Sequence, residues 1–145
     1  MKEIDWSNLS FGYMKTDYNV RCYYRNGAWG EIETCSEETI PLHMAATCLH
    51  YGQEAFEGLK AYRCPDGKVR VFRADENAAR LQSTCRGILM PELPTEKFIE
   101  MVEKVVLLDI MDQVKLVEEP EIQEDLVVVM VMKLVPKVEM EPVDY

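Results

Sequence analysis

The sequence has 145 residues, a formal net charge of -10 and a hydrophobic content of 48%. This length and apolar content are enough for one globular domain whose core needs neither metal nor disulfides. The acidic balance excludes the basic surface that is typical of nucleic-acid-binding domains. No stretch approaches the roughly 20 consecutive apolar residues of a membrane span.

The start of the chain and its cysteines indicate the compartment. Residues 1–5 lack the apolar run of a signal peptide. The five cysteines are odd in number and include no Cys-x-x-Cys pair, which favours reduced thiols over a disulfide framework or a zinc site. Since the chain also has only two histidines, we expect no metal site, and we expect a cytoplasmic protein.

The first regular element is a β-hairpin. Two strand-like runs, Val20–Arg25 and Ala28–Glu33, flank the dipeptide Asn26-Gly27. Both turn residues tolerate positive φ, and Asn-Gly between such runs is the strongest short hairpin signal. Residues 37–42 then lead into 43–47, for which we expect a short strand or a turn.

The stretch from Leu49 to Arg63 contains two glycines, Gly52 and Gly58, which would weaken the interior of a helix or strand. Residues 53–56 between them are compatible with a single helical turn. After Gly58, residues 59–63 alternate apolar and polar side chains and predict a half-buried strand. Residues 64–67, Cys-Pro-Asp-Gly, predict a turn that pairs this strand with residues 68–73 in a second hairpin.

Two helices follow the second hairpin. Asp75 is the predicted N-cap of the first, and prolines 91 and 94 end it. Thr95 and Glu96 begin the second helix. Hairpins interleaved with two packed helices indicate an α+β fold with an antiparallel sheet. Apolar positions at helical spacing predict the buried faces: Ala78, Leu81, Cys85, Ile88 and Leu89 in the first helix, and Phe98, Ile99, Val102, Val105 and Val106 in the second.

The end of the chain has a different character. Acidic residues interrupt it at 118–121, and the last ten residues combine two prolines with acids, as in a tail. Between them, Leu126–Val135 is a β-branched and methionine-rich run that suits a buried strand.

The central stretch resembles the signature of class IV, pyridoxal-phosphate-dependent aminotransferases, and within them the branched-chain amino-acid aminotransferases. The resemblance covers about residues 4–106. It implies that residues 1–106 are the small N-terminal domain of this fold type, and that residues 107–145 are a divergent tail in which the match is lost. The segments that carry it are His50-Tyr51-Gly52, Phe56 to Tyr62, Phe11-Gly12, Thr16-Asp17, Val71-Phe72-Arg73 and Asn77 to Leu81.

The resemblance implies a function and a set of site residues. The expected reaction is pyridoxal-phosphate-dependent transamination of leucine, isoleucine or valine with 2-oxoglutarate, by a cytoplasmic homodimer. Arg80 matches the family's arginine that grips the cofactor phosphate. Tyr51 and Phe56 resemble aromatic walls of the substrate pocket, which Tyr62 joins as either wall or core. Gly58 allows a close backbone approach, a β-bulge or both.

Other residues of the signature are expected to have no catalytic role. Lys60 matches a strand position of the family and not its Schiff-base lysine. Glu57 is expected to be structural, because the family supplies the pyridine-nitrogen carboxylate from its other domain. His50 is expected to be a hydrogen-bonded structural histidine. No catalytic lysine is recognised in the chain, which is therefore expected to be inactive alone.

Two alternatives remain open. The first is another class IV enzyme, such as a D-amino-acid aminotransferase or an aminodeoxychorismate lyase. These tend to carry a Gly-Asp-Gly type sequence, which residues 51–58 lack. The second is a non-catalytic remnant or interaction domain that dimerises or binds a full-length relative.

Overall fold

The computed structural model describes residues 16–114 and 127–134, with the backbone alone from residue 109 onward. It has an α+β architecture with two small antiparallel sheets. One sheet is the hairpin β1-β2, and the other has the strand order β4-β3-β5. The elements are β1 Asn19–Arg25, β2 Ala28–Cys35, α1 Thr47–Tyr51, β3 Ala55–Arg63, β4 Val69–Val71, α2 Ala74–Gly87, α3 Thr95–Val114 and β5 Val127–Leu134.

The first hairpin forms where the sequence predicts it. Asn26 and Gly27 have φ angles of 52° and 79°, as a type I′ turn requires. The hairpin is joined to the helical layer by side chains that bond backbone carbonyls. Trp29 Nε1 donates to the carbonyl of Glu92 at 2.8 Å, and Lys97 Nζ donates to the carbonyl of Gly30 at 2.9 Å.

The second sheet is built on β3, which has partners on both edges. Its pairing with β4 confirms the predicted second hairpin. Its other partner, β5, confirms the strand predicted in Leu126–Val135. The prediction that this strand is buried concerns side chains outside the described ones. The strand β3 is longer than predicted, beginning at Ala55, because β5 pairs with it from Ala55 to Tyr62.

The core lies between β3 and the two long helices. Helix α2 packs against β3 and against α3. Four fully buried side chains belong to one apolar cluster: Phe98, Leu81, Leu93 and Cys85. All five cysteines are free thiols, and burial raises the pKa of the Cys85 thiol. None of the described helices combines the length and the apolar character of a membrane span.

Four local predictions are wrong. The helical turn expected at residues 53–56 lies instead at Thr47–Tyr51, because Gly52 ends it in the left-handed conformation. Asp75 lies inside the first turn of α2, and Arg73 occupies the N-cap. Leu89 is exposed, because it follows the helix with a φ of 57°. The β-bulge alternative for Gly58 fails, since β3 keeps a regular register from Ala55 to Tyr62.

Candidate functional site

Strand β3 divides the signature residues between its two faces. Ala55, Leu59 and Ala61 point toward the helices and are buried. Since successive side chains of a strand alternate, Glu57 lies on this same inner face. The outer face carries Phe56, Gly58, Lys60 and Tyr62, all of which are exposed.

Arg80 projects from α2 and bonds to the inner face of β3. Its Nε donates to Glu57 Oε1 at 3.1 Å, and its Nη2 donates to Glu57 Oε2 at 2.8 Å. The two side chains differ in exposure: 61% for Arg80 and 11% for Glu57. The hydrogen bonds that Arg80 donates to Glu57 raise the pKa of Arg80, so the guanidinium is fixed as a cation. The result is a forked ion pair with its carboxylate enclosed and its cation reaching solvent.

Asn77 completes this arrangement from one helical turn earlier in α2. It is a buried polar residue, only 7% exposed. Its Nδ2 donates to Glu57 Oε2 at 2.7 Å and to the carbonyl of Gly58 at 3.1 Å. Asn77 therefore ties the start of α2 to β3 through the same carboxylate that holds Arg80. The sequence offered one signal for this pair, the i, i+3 spacing of Asn77 and Arg80 on one helix face.

The three aromatic residues expected in the substrate pocket lie apart from the Glu57–Arg80 ion pair. Tyr51 ends α1, is 84% exposed and borders a shallow groove of about 370 Å³. Gln53 crosses this groove, with its Nε2 donating to the carbonyl of Ile88 at 2.8 Å. The hydroxyl oxygen of Thr47, also in the groove, is enclosed and has no hydrogen-bond partner within the described residues. Phe56 and Tyr62 lie on the outer face of β3.

The structure therefore separates the expected site residues between the two faces of β3 and the groove beside α1. Phe56, Gly58 and Tyr62 share the outer face of β3, and Arg80 bonds to the inner face. A Cβ atom at Gly58 would lie 3.6 Å from Phe56 Cζ, which is an ordinary van der Waals contact. Among the described residues, no backbone therefore approaches Gly58 so closely that only glycine fits. The described chain does not bring Arg80 together with these aromatics.

Other polar residues of the signature have structural contacts or open positions. His50 Nε2 donates to the carbonyl of Met44 at 2.6 Å, as expected of a structural histidine. Lys60 is exposed on the outer face of β3, away from Arg80. Lys104 Nζ donates to the carbonyl of Ile32 at 2.8 Å, and Lys97 bonds to the same hairpin.

Comparison with known proteins gives a consistent result for most of the chain. It is 47% identical over 106 residues to the branched-chain-amino-acid aminotransferase of Haemophilus influenzae, a match that covers 73% of this chain and 31% of the relative. It is 44% identical over 106 residues to the protein of the same name from Helicobacter pylori, with the same two shares. The Mycolicibacterium smegmatis protein of this name is 43% identical over 110 residues, covering 75% of this chain and 30% of the relative. No protein-family model matches the chain.

These similarities define the class first: the matched part of the chain is homologous to aminotransferases. Within that class, the relatives carry the name branched-chain-amino-acid aminotransferase. The chain spans about 30% of their length, and its α+β fold is compatible with a small domain of such an enzyme.

Proposed function

We propose that this chain is the small, phosphate-binding domain of a branched-chain amino-acid aminotransferase. The observation that supports this most is the identity of 43–47% to relatives of that name over about three quarters of the chain. The relatives reported above share the branched-chain name, which favours this reading over a D-amino-acid aminotransferase or an aminodeoxychorismate lyase. The domain assignment, residues 1–106 followed by a divergent tail of residues 107–145, is part of the proposal.

The cofactor of the proposed enzyme is pyridoxal 5′-phosphate, which supplies the electron-sink chemistry of transamination when bound. Arg80 fits its phosphate group. In the described part of the chain, Glu57 accepts hydrogen bonds from Nε and Nη2 of Arg80, and no protein acceptor bonds to Nη1. The outer edge of the Arg80 guanidinium, on the side of Nη1, therefore presents a permanent positive charge and N–H donors whose forked geometry matches phosphate oxygens.

The aldehyde end of the cofactor requires a lysine, and Lys60, Lys97 and Lys104 do not fit it. Lys60 lies on the face of β3 opposite to Glu57 and Arg80, and Lys97 and Lys104 bond to the first hairpin. The proposal therefore assigns phosphate binding to this chain and the Schiff base to residues outside the described ones. Phe56 and Tyr62, which share the outer face of β3 with Gly58, are proposed to wall the pocket for a branched apolar side chain, and Tyr51 is proposed as a further wall from its groove beside α1.

The proposed full enzyme is a cytoplasmic homodimer that transfers amino groups between leucine, isoleucine or valine and 2-oxo acids. The free cysteines support a reducing compartment. We expect the isolated chain not to catalyse this reaction. Sustained, pyridoxal-phosphate-dependent conversion of leucine and 2-oxoglutarate by the pure chain would show that a functional lysine exists within it.

A second candidate function is an interaction domain without catalysis. It is favoured by the large exposed aromatic residues Tyr51, Phe56 and Tyr62. Sedimentation of the pure chain, alone and with a full-length homologue, separates the candidates. A monomer that ignores the homologue argues against an interaction domain.

The phosphate assignment is tested with pyridoxamine 5′-phosphate, because this amine cannot form adventitious Schiff bases with surface lysines. Its affinity is measured by calorimetric titration of the wild-type chain and of Arg80→Ala. Arg86→Ala is a matched control, since Arg86 also lies on α2, pairs with Glu92 at 2.5 Å and has a side chain 58% exposed.

We expect Arg80→Ala to weaken binding at least tenfold, as charge-assisted hydrogen bonds to phosphate are strong. Arg86→Ala should leave the affinity unchanged, and pyridoxamine without phosphate should not bind detectably. Equal affinity of the wild-type chain and Arg80→Ala would refute the assignment.

A further inference from the structure

Glu57 has an environment that differs from that of three other carboxylates paired with arginines. The carboxylates paired with Arg70, Arg73 and Arg86 are 42–51% exposed, whereas Glu57 is 11% exposed. Burying a carboxylate is costly unless its oxygens are bonded. Three donors meet this requirement, two from Arg80 and one from Asn77. An enclosed and fully bonded carboxylate is a rigid acceptor.

The rigidity originates in the backbone of β3. Asn77 Nδ2 bonds both Glu57 Oε2 and the carbonyl of Gly58, so the amide holds the carboxylate against its own strand. Glu57 in turn engages the Nε–Nη2 edge of Arg80 with both oxygens. This two-point contact fixes the plane of the guanidinium and leaves the Nη1 side directed away from the carboxylate.

We propose that Glu57 is the positioning residue for Arg80, holding the outer edge of its guanidinium ready for a phosphate group. This inference rests on the proposed function, which gives Arg80 the phosphate. Holding Arg80 in place lowers the conformational entropy that is lost when phosphate binds. A long arginine side chain loses rotamer freedom when it binds a ligand, and a side chain that is already held loses less.

The opposite role for Glu57, as an anion that competes with phosphate, predicts the opposite result. A carboxylate beside Arg80 repels an incoming phosphate and competes for the same donors. If Glu57 acted only as a competing anion, its neutralisation would tighten phosphate binding. If it positions Arg80, neutralisation frees the guanidinium and weakens phosphate binding. The direction of the change therefore distinguishes the two roles.

The test is titration of the 145-residue chain with pyridoxamine 5′-phosphate in the wild type and in Glu57→Gln. The glutamine amide presents one acceptor oxygen in place of two, so it cannot give Nε and Nη2 of Arg80 an oxygen each. We expect binding about three- to tenfold weaker, the range for releasing one ordered side chain. Glu92→Gln is the control, because it neutralises the carboxylate that pairs with Arg86, an arginine on the same helix as Arg80. This variant should leave the affinity unchanged.

A spectroscopic measurement reads the position of Arg80 without any ligand. In the wild type, the paired guanidinium should show hindered rotation and separate Nη signals in nitrogen-detected NMR spectra. In Glu57→Gln these signals should merge, while those of Arg86 stay unchanged. Should Glu57→Gln not fold, Glu57→Asp serves instead, because it keeps the charge but shortens the reach. Positioning then predicts weaker binding and merged Arg80 signals, whereas competition predicts binding that is not weakened, because the repelling charge remains.

The outcomes separate the two proposals. Weaker binding by both Arg80→Ala and Glu57→Gln, with merged Arg80 signals, supports the positioning role. If Arg80→Ala weakens binding while Glu57→Gln leaves it equal or tighter, the positioning role is overturned and the phosphate assignment stands. If the wild type does not bind and Arg80→Ala changes nothing, the phosphate assignment fails and the positioning role fails with it.

Discussion

Asn77 gives the most quantitative prediction for the stability of the domain. Asn77→Ala removes the hydrogen bond to the Glu57 carboxylate at 2.7 Å and the one to the Gly58 carbonyl at 3.1 Å. A bond to a charged group contributes about 1.5–3 kcal/mol and one between neutral groups about 0.5–1.5 kcal/mol. The better helix propensity of alanine offsets about 0.5 kcal/mol of this loss. We therefore expect the free energy of unfolding to fall by about 1.5–4 kcal/mol.

The assay is urea denaturation of the wild type and the variant, followed by far-ultraviolet circular dichroism. Ser83→Ala is the control, because Ser83 is an exposed residue of the same helix and this variant makes a comparable gain in propensity. We expect its stability to stay within about 0.5 kcal/mol of the wild type. A loss below about 0.5 kcal/mol for Asn77→Ala would refute the reasoning that this amide joins α2 to β3.

Three further predictions concern other parts of the domain. Leu89→Gly should stabilise it by about 1 kcal/mol in urea denaturation, because Leu89 has a φ of 57° and an exposed side chain; destabilisation would contradict this. Phe98→Ala should cost about 3–5 kcal/mol by the same measurement, since Phe98 is fully buried, whereas Met44→Ala at an exposed site should cost nothing measurable. Hydrogen bonds from Arg70 lower the pKa of Asp66 from 3.8 to about 2, so its contribution to stability is present above pH 3.8 and is lost as the pH falls toward 2. An NMR titration of Asp66 should show this midpoint, and it should return toward the ordinary value in Arg70→Ala; an unchanged midpoint would contradict the ion pair.

Elements set by local chemistry could be predicted from the sequence. The Asn26-Gly27 turn specifies its own backbone angles, and the two long helices follow from apolar spacing that packs Leu81 and Phe98 into the core. Gly52 was harder to interpret, since a glycine signals either an interruption or a helix end. Here it ends α1, which moves the helical turn to the residues before it.

Features that depend on distant partners could not be predicted in this way. The full length of β3 depends on β5, which lies more than 60 residues later in the chain. The hydrogen bonds between Glu57 and Arg80 join residues 23 apart, and the role of Asn77 follows only from that pairing. The resemblance singled out Arg80 through its position in a motif, but only the fold identifies the carboxylate that holds it.

The central claim is that this chain corresponds to the phosphate-binding small domain of a branched-chain aminotransferase. It is tested most directly by a chimera in which the matching segment of this chain replaces its counterpart in the Haemophilus influenzae relative. We expect the folded chimera to convert leucine and 2-oxoglutarate, to lose that activity with Arg80→Ala and to retain it with Arg86→Ala. A folded chimera that is inactive, or whose activity does not depend on Arg80, would contradict the claim.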